Sequence, residues 1–118
     1  MRAMGKILDY FLTGLVFLAG CGHAIVAGSG LFDEFTPQAV WFLAAGAAIW
    51  LAGTLNVLRI VHDEDAPAIK WAAFFANILM LFIALLLGMA VGDLTRPPIA
   101  GEIALFGALA LTSALRGD

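Results

Sequence analysis

The sequence predicts an all-α integral membrane protein, an antiparallel bundle of four transmembrane helices with the N- and C-termini in the cytoplasm. The first observation is composition, because 63% of the 118 residues are hydrophobic and only 13% are charged. Soluble domains are about 45–50% apolar and about 25% charged. A chain of this length forms one domain, residues 1–118, which is too small to hide so much apolar surface from water. We therefore expect lipid to surround it.

The second observation is a set of four apolar stretches, each close to the roughly 20 residues that a spanning helix needs. The predicted spans are Phe11–Phe32, Ala39–Leu58, Trp71–Gly92 and Pro97–Leu115. Helix-start signals lie between them. Thr36 and Pro37 are the predicted N-cap and first residue of the second helix, and Asp65 is the predicted N-cap of the third. For the fourth helix, a start near Ile99 is the alternative to Pro97.

The third observation is the distribution of basic residues, which orients membrane proteins because cytoplasmic loops carry an excess of Lys and Arg. Five of the six basic residues fall on one predicted side, and Arg96 is alone on the other. The five are Arg2, Lys6, Arg59, Lys70 and Arg116. This bias predicts a multi-pass protein of the bacterial cytoplasmic (inner) membrane with both termini inside.

The stretch Leu18–Cys21 also fits a bacterial lipoprotein cleavage signal, in which small residues precede a cysteine that becomes lipidated. Such a signal has a short apolar core followed by a polar mature N-terminus. Here Asp9 interrupts the start of the apolar core, and the apolar run continues beyond Cys21 to Phe32. We therefore expect an uncleaved spanning helix, with Cys21 as a small packing residue.

His23 is the main candidate for a functional group inside the spans. Its helical face carries small residues, including Ala19, Gly20 and Ala27, a pattern typical of close helix–helix contact in lipid. Ionisable residues inside spans are functional candidates because burying them is expensive. A structural, hydrogen-bonding histidine is the simpler alternative, since neutral imidazole is the least costly of these groups to bury.

Asn56 and Asn77 also share their helical faces with small residues. In an antiparallel hairpin the two asparagines lie at depths within about 5 Å of each other. We expect them to hydrogen-bond to each other or to backbone carbonyls. Arg59, one turn from Asn56, either extends this network or snorkels to the surface. Trp50 and Arg59 are assigned supporting roles.

Glu102 has two interpretations. If the fourth helix starts at Pro97, Glu102 lies within roughly 4 Å of the depth of His23, and the two form a buried acid–base couple. Alternatively, Glu102 is an interfacial carboxylate in the first turn, where the helix dipole favours negative charge. The second interpretation is favoured because Glu102 shares its face with the bulky Phe106 and Leu109, whereas the small residues lie on another face.

Several chemistries lack the residues that they require. The single cysteine excludes an intrachain disulfide and any CxxC motif, and no Ser/His/Asp or Cys/His nucleophile set can be assembled at one depth. The run His62–Asp65 offers oxygen ligands to a divalent cation, but a solvated loop is the simpler interpretation. With a net charge of −3 and no basic cluster, nothing points to nucleic acid. No metal or cofactor is assigned.

The leading functional hypothesis is a small non-enzymatic inner-membrane protein that binds an apolar ligand or lipid, or serves as a subunit of a larger membrane assembly. The site is assigned to His23, Asn56, Asn77 and Glu102. The first three form a narrow polar core, and no complete catalytic set is present. For the assembly version, the small-residue face of the fourth helix offers a surface to a partner helix or to a second copy of the chain. That face comprises Ala100, Ala104 and Ala108.

Two alternatives stay open. One is a small-molecule or proton-coupled transporter in which His23, with or without Glu102, is the titrating group. The weaker one is a haem-binding oxidoreductase subunit, in which two copies of His23 meet at a dimer interface.

Overall fold

The computed structural model describes residues 2–28, 36–62 and 66–115. These ranges contain four α-helices and no strand: α1 Arg2–Gly28, α2 Pro37–His62, α3 Pro67–Val91 and α4 Pro97–Leu115. Each helix is long and apolar enough to cross a membrane. The prediction of four long apolar helices is therefore confirmed, and the bounds predicted for the fourth helix are those observed.

The helices form an elongated bundle of 48 × 25 × 22 Å. Consecutive helices pack as neighbours, and α1 also contacts α4, so that the four form a closed ring. Because each connection is short, successive helices run in opposite directions. The α1–α4 interface is the sparsest of these four contacts, and it leaves room for the cavity described below.

The starts of α2 and α3 differ in their capping. The Thr36 hydroxyl accepts a hydrogen bond from the Ala39 amide at 3.2 Å, which confirms Thr36 as N-cap before Pro37. At α3 the N-cap residue is Ala66, without a side-chain cap, and Pro67 follows it. The prediction of Asp65 as N-cap is therefore wrong, because proline at residue 67 sets the helix start one residue later than expected.

The first helix begins well before the predicted span. α1 starts at Arg2, whereas the apolar run starts at Phe11. Asp9 therefore lies inside the helix, and its side chain is buried rather than solvated. The length of the apolar run did not predict the helical segment before Phe11. An acidic residue such as Asp9 can lie within a helix when a basic residue on another helix pairs with it. The predicted end of this span, Phe32, lies outside the described residues.

A tight turn sets the position of α4. Gly92 ends α3 in a left-handed conformation (φ 79°), which glycine adopts without the steric penalty of a side chain. The Asp93 carboxylate then accepts hydrogen bonds from the Thr95 amide at 2.9 Å and the Thr95 hydroxyl at 2.6 Å. Leu94 folds back onto Gly88, where a Cβ would collide with it. The turn thereby fixes where α4 begins.

The apolar core occupies the middle of the bundle. Val16, Ile49, Phe106 and Leu109 are all 0–1% exposed and pack in one cluster with residues of α3. Phe106 and Leu109 show that α4 turns its bulky face inward, while Ala104 on the small-residue face is exposed. The bulky face of α4 is thus the inward one, because its large side chains fill the space between the helices.

Candidate functional site: a polar network and a cavity beside His23

Buried polar side chains form two clusters at opposite ends of the bundle. The first, here called the polar network, comprises Asp9, Asn56, Arg59, Asn77 and Ser113. The second is the wall of a cavity between α1 and α4, here called the His23 cavity, which contains His23 and Glu102. About 21 Å of α1, from the helical rise per residue, separates Asp9 from His23.

The centre of the polar network is a pair of asparagines. The Asn56 amide nitrogen donates to Asn77 Oδ1 at 2.8 Å, and the Asn77 amide nitrogen donates back to Asn56 Oδ1 at 3.0 Å. Asn56 also donates to the Ala52 carbonyl at 2.8 Å. Both side chains are fully buried. The hydrogen bond predicted between these residues is therefore present, and it is reciprocal.

Arg59 extends the network to α1. Its two terminal nitrogens lie 3.3 and 3.4 Å from the two carboxylate oxygens of Asp9, in a forked arrangement, and one of them also lies 3.4 Å from Asn56 Oδ1. Both members of the ion pair are at most 4% exposed. Arg59 therefore joins the network, which is the first of its two predicted alternatives, and does not snorkel to the surface.

The fourth helix completes the network through Ser113. The Asn77 amide nitrogen lies 3.5 Å from the Ser113 hydroxyl, which itself donates to the Leu109 carbonyl at 2.7 Å. Every helix thus contributes at least one polar side chain. Among the described residues, two buried polar atoms in or next to this network have no hydrogen-bond partner. They are Arg59 Nε and Thr13 Oγ1. The network links the four helices.

The His23 cavity has a different character. It is an open pocket with a volume of about 500 Å³. His23 and Glu102 are the polar side chains in its wall, with His23 Nε2 and Glu102 Oε1 3.6 Å apart. Both side chains are mostly buried, at 18% and 15% exposure. The remaining described lining is apolar: Leu15, Ala19, Gly22, Val26, Phe42, Pro97, Pro98, Gly101 and Leu105. Of the two interpretations of Glu102, the couple with His23 is the arrangement observed. The favoured interpretation, an interfacial carboxylate in the first turn, is wrong, because α4 begins at Pro97 and turns the bulky face that carries Glu102 inward.

The orientation of the His23 ring is fixed on two sides. Its Nδ1 lies 3.0 Å from the Ala19 carbonyl oxygen, one turn earlier in α1. Its face stacks on Phe42 of α2, with ring centroids 4.5 Å apart. Because a carbonyl oxygen only accepts hydrogen bonds, Nδ1 carries a hydrogen in this geometry. The other nitrogen, Nε2, therefore faces Glu102.

Close approach of α1 and α2 holds this ring in place. A Cβ on Gly46 would lie 2.9 Å from His23 Cβ and 3.1 Å from the Gly20 carbonyl oxygen. Trp50 covers Gly20 from α2 and donates a hydrogen bond from Nε1 to the Phe17 carbonyl at 3.2 Å. Trp50 thus supports the helix pair that carries His23, although it does not line the cavity.

An apolar layer separates the two clusters. Val16, Ile49 and Phe106 lie between them along α1, α2 and α4, and each is at most 1% exposed. Of the four residues assigned to the site from sequence, His23 and Glu102 meet in the cavity. Asn56 and Asn77 meet in the polar network. The sequence-based interpretation of one polar core is therefore divided into two by the structure.

Two residues of these clusters, Asp9 and Phe42, were not assigned to the site from the sequence. The sequence does contain a pattern that places Asp9 on the same helical face as His23. This face repeats every three to four residues through Asp9, Thr13, Val16, Gly20 and His23. No comparable signal marks Phe42, because its stacking on His23 depends on how α1 and α2 are rotated against each other. Only the folded hairpin shows that contact.

Other residues singled out from the sequence lie elsewhere. Cys21 is exposed rather than packed, since its side of α1 turns away from the neighbouring helices. Residues 63–65 of the His62–Asp65 run lie outside the described residues. Within the described ranges, no three His, Cys, Asp or Glu side chains are grouped as metal ligands would be.

Comparison with known protein families, curated proteins and solved structures found no match to this chain.

Proposed function

We propose that this chain is a small, non-enzymatic, multi-pass protein of the bacterial inner membrane that binds a small, mostly apolar ligand in the His23 cavity. Both termini face the cytoplasm in this proposal. The observation that carries it is the cavity itself, an apolar space of about 500 Å³ with one acid–base pair in its wall. Ligand sites of this kind have apolar walls and a few polar groups that fix ligand orientation.

The exterior of the bundle supports a lipid environment. Large apolar side chains are exposed around its surface, among them Phe75 at 65%, Phe82 at 57% and Met89 at 69%. An exposed apolar surface of this extent is unstable in water and suits the hydrocarbon core of a bilayer. We infer the orientation from the basic residues, because Lys6, Arg59 and Lys70 lie towards the end of the bundle opposite to Arg96.

Binding is better supported than transport or haem ligation. A transported solute or proton has to pass the layer of Val16, Ile49 and Phe106, which contains no polar group among the described residues. Haem ligation at a dimer interface requires an accessible imidazole nitrogen, whereas the nitrogens of His23 face Ala19 and Glu102. A visible spectrum of purified protein tests the haem hypothesis directly, because bound haem gives a Soret band.

The proposal is tested by filling the cavity. Gly101 lines the cavity, and a Cβ added at this position would have no atom within 4 Å. Gly101→Leu is therefore expected to occupy the space without disturbing the helices. Gly107 on the same helix also has open space but lies outside the lining, which makes Gly107→Leu the matched control.

The measurement is native mass spectrometry of protein released from mild detergent. Wild-type protein and Gly107→Leu are expected to retain a bound apolar molecule that Gly101→Leu has lost. Identical spectra for the wild type and Gly101→Leu, or an unliganded wild type, contradict binding in this cavity. The same spectra report the oligomeric state.

A further inference from the structure

We infer that the His23 cavity takes a protonated amine carried on a compact apolar group, and that one proton leaves the His23–Glu102 pair when the amine binds. This inference rests on the proposed function and names the ligand class of the same site. It is carried by the hydrogen-bond geometry of His23, by the absence of other charges in the described lining, and by the two prolines at the start of α4.

The geometry of His23 sets the number of protons on the pair. With Nδ1–H donating to the Ala19 carbonyl, the facing atoms are Nε2 and Glu102 Oε1, 3.6 Å apart. If neither atom carried a proton, a nitrogen lone pair would face a carboxylate. One proton between them, on either residue, gives an attractive contact and a pair of zero net charge. Before a ligand binds, the pair therefore holds one exchangeable proton.

The requirement for charge balance inside the cavity then favours a cationic ligand. Among the described residues that line the cavity, no Asp, Glu, Lys, Arg or Tyr accompanies the pair. Asp93 and Arg96, in the turn before α4, are exposed and outside the lining. An ion in such apolar surroundings requires a counter-charge beside it. An entering ammonium meets this requirement when the pair releases its proton, because Glu102 is then a carboxylate and His23 is neutral.

The exchange balances in protons and charge. The neutral pair and one ammonium ion give an ammonium–carboxylate pair beside neutral His23, and one proton passes to water. Both freed atoms, Nε2 and Oε1, are acceptors, and the ammonium group supplies the N–H donors that they need. No covalent bond to the ligand forms or breaks.

An anionic ligand is disfavoured by the wall formed by α4. The amide N–H groups at a helix N-terminus commonly bind anions. Here Pro97 and Pro98 occupy the first positions of α4 and line the cavity, and neither has an N–H. A carboxylate ligand would also require the pair to gain a second proton. The site therefore discriminates by charge sign as well as by shape.

The test uses three probes with one rigid apolar cage: 1-aminoadamantane, neutral 1-adamantanol and 1-adamantanecarboxylate. Each is added to the full-length protein in lipid nanodiscs at neutral pH, and binding is measured by titration calorimetry, with empty nanodiscs subtracted. The amine is expected to bind roughly tenfold tighter than the alcohol, as a charge-assisted hydrogen bond implies, and the carboxylate most weakly. Repeating the amine titration in buffers of different ionisation enthalpy is expected to show release of about one proton per bound amine.

Two carboxylate variants assign the effect. Glu102→Gln is expected to abolish both the preference for amine over alcohol and the proton release, while alcohol binding persists. Asp93→Asn removes a carboxylate outside the cavity but keeps the oxygen that accepts from Thr95, and it is expected to behave as the wild type. The proton count of the wild type tests the inference even if Glu102→Gln fails to fold.

The outcomes separate this inference from the proposed function. Equal affinity for amine and alcohol, tightest binding of the carboxylate, or amine binding without proton release each overturn the inference and leave the cavity as a ligand site. If no probe binds more tightly to the wild type than to Gly101→Leu, the proposed function is overturned together with the inference.

Discussion

The polar network and the His23 cavity each contain an acid facing a base, but the two pairs differ in what surrounds them. Arg59 and Asp9 are at most 4% exposed and join a chain of hydrogen bonds that reaches all four helices. His23 and Glu102 are 18% and 15% exposed and border open space. A pair enclosed by other polar groups stabilises the fold, whereas a pair beside a cavity is available to a ligand.

The comparison also explains where the helices pack closely. In the polar network, hydrogen bonds between side chains hold α1, α2, α3 and α4 together. Beside the cavity, glycines let α1 and α2 approach, and α4 stands further from α1. Tight packing on one side of His23 and a gap on the other orient the ring towards the gap.

The largest expected effect comes from Arg59→Ala. It leaves Asp9 buried without its charged partner, and breaking a buried pair in this way costs about 3–5 kcal/mol of unfolding free energy. The measurement is denaturant unfolding in detergent micelles, followed by circular dichroism. Arg96→Ala, at an exposed position, is the control and is expected to change little.

The same measurement on Glu102→Gln tests the difference between the two pairs. That variant keeps a hydrogen-bonding side chain of the same size beside His23 and leaves no carboxylate unpaired, so it is expected to cost about 0.5–1.5 kcal/mol, the net value of one hydrogen bond. Equal losses for Arg59→Ala and Glu102→Gln would show that the two clusters contribute alike to the fold, and would remove the basis of the comparison.

The next effect is that of Gly46→Ala, which probes the contact between α2 and His23. The added Cβ would lie 2.9 Å from His23 Cβ, so that the helices must shift apart, at a cost of about 1–3 kcal/mol typical of overpacking. The shift also displaces His23, and we expect weaker binding of 1-aminoadamantane by calorimetry. Gly14→Ala, where nothing lies within 4 Å, serves as the control. Unchanged stability and binding in Gly46→Ala would contradict the close approach of these helices.

A smaller effect is expected for Asn77→Ala. It removes both hydrogen bonds to Asn56, but Asn56 keeps its bonds to Ala52 and Arg59. Interhelical hydrogen bonds of this kind contribute about 0.6 kcal/mol on average and at most about 1.7 kcal/mol. Thr54→Val is the control, because the exposed Thr54 hydroxyl bonds only within its own helix, and it should unfold as the wild type does. A loss no greater than that of the control would exclude a stabilising role for the asparagine pair.

The smallest effect concerns Asp93, in the turn outside the helices. Hydrogen bonds from the Thr95 hydroxyl and amide lower the pKa of the Asp93 carboxyl below its usual value of 3.8. Because the folded pKa is the lower one, this contribution to stability is present above pH 3.8 and is lost as the pH falls through the folded pKa. Unfolding curves recorded across this acid range are expected to show a steeper loss for the wild type than for Asp93→Asn. Parallel pH profiles would contradict the role of these hydrogen bonds.

Much of the fold follows from local properties of the chain. The apolar stretches, Thr36 before Pro37, and the turn before Pro97 depend on neighbouring residues only, and the helices lie where these signals indicate. The asparagine pair was also predictable, because two adjacent antiparallel helices bring equal depths together. The burial of Asp9 was not predicted. The length of an apolar run does not reveal that an arginine on another helix pairs with this carboxylate.

The amino-acid sequence by itself determined four long apolar helices and their order, because helix formation is a property of contiguous residues. The tertiary structure decided which polar residues meet. Arg59 reaches Asp9 across fifty residues of chain, and His23 meets Glu102 of α4 and Phe42 of α2. These contacts depend on the rotation and spacing of whole helices. The cavity exists for the same reason: it is the space left where α1 and α4 pack least closely.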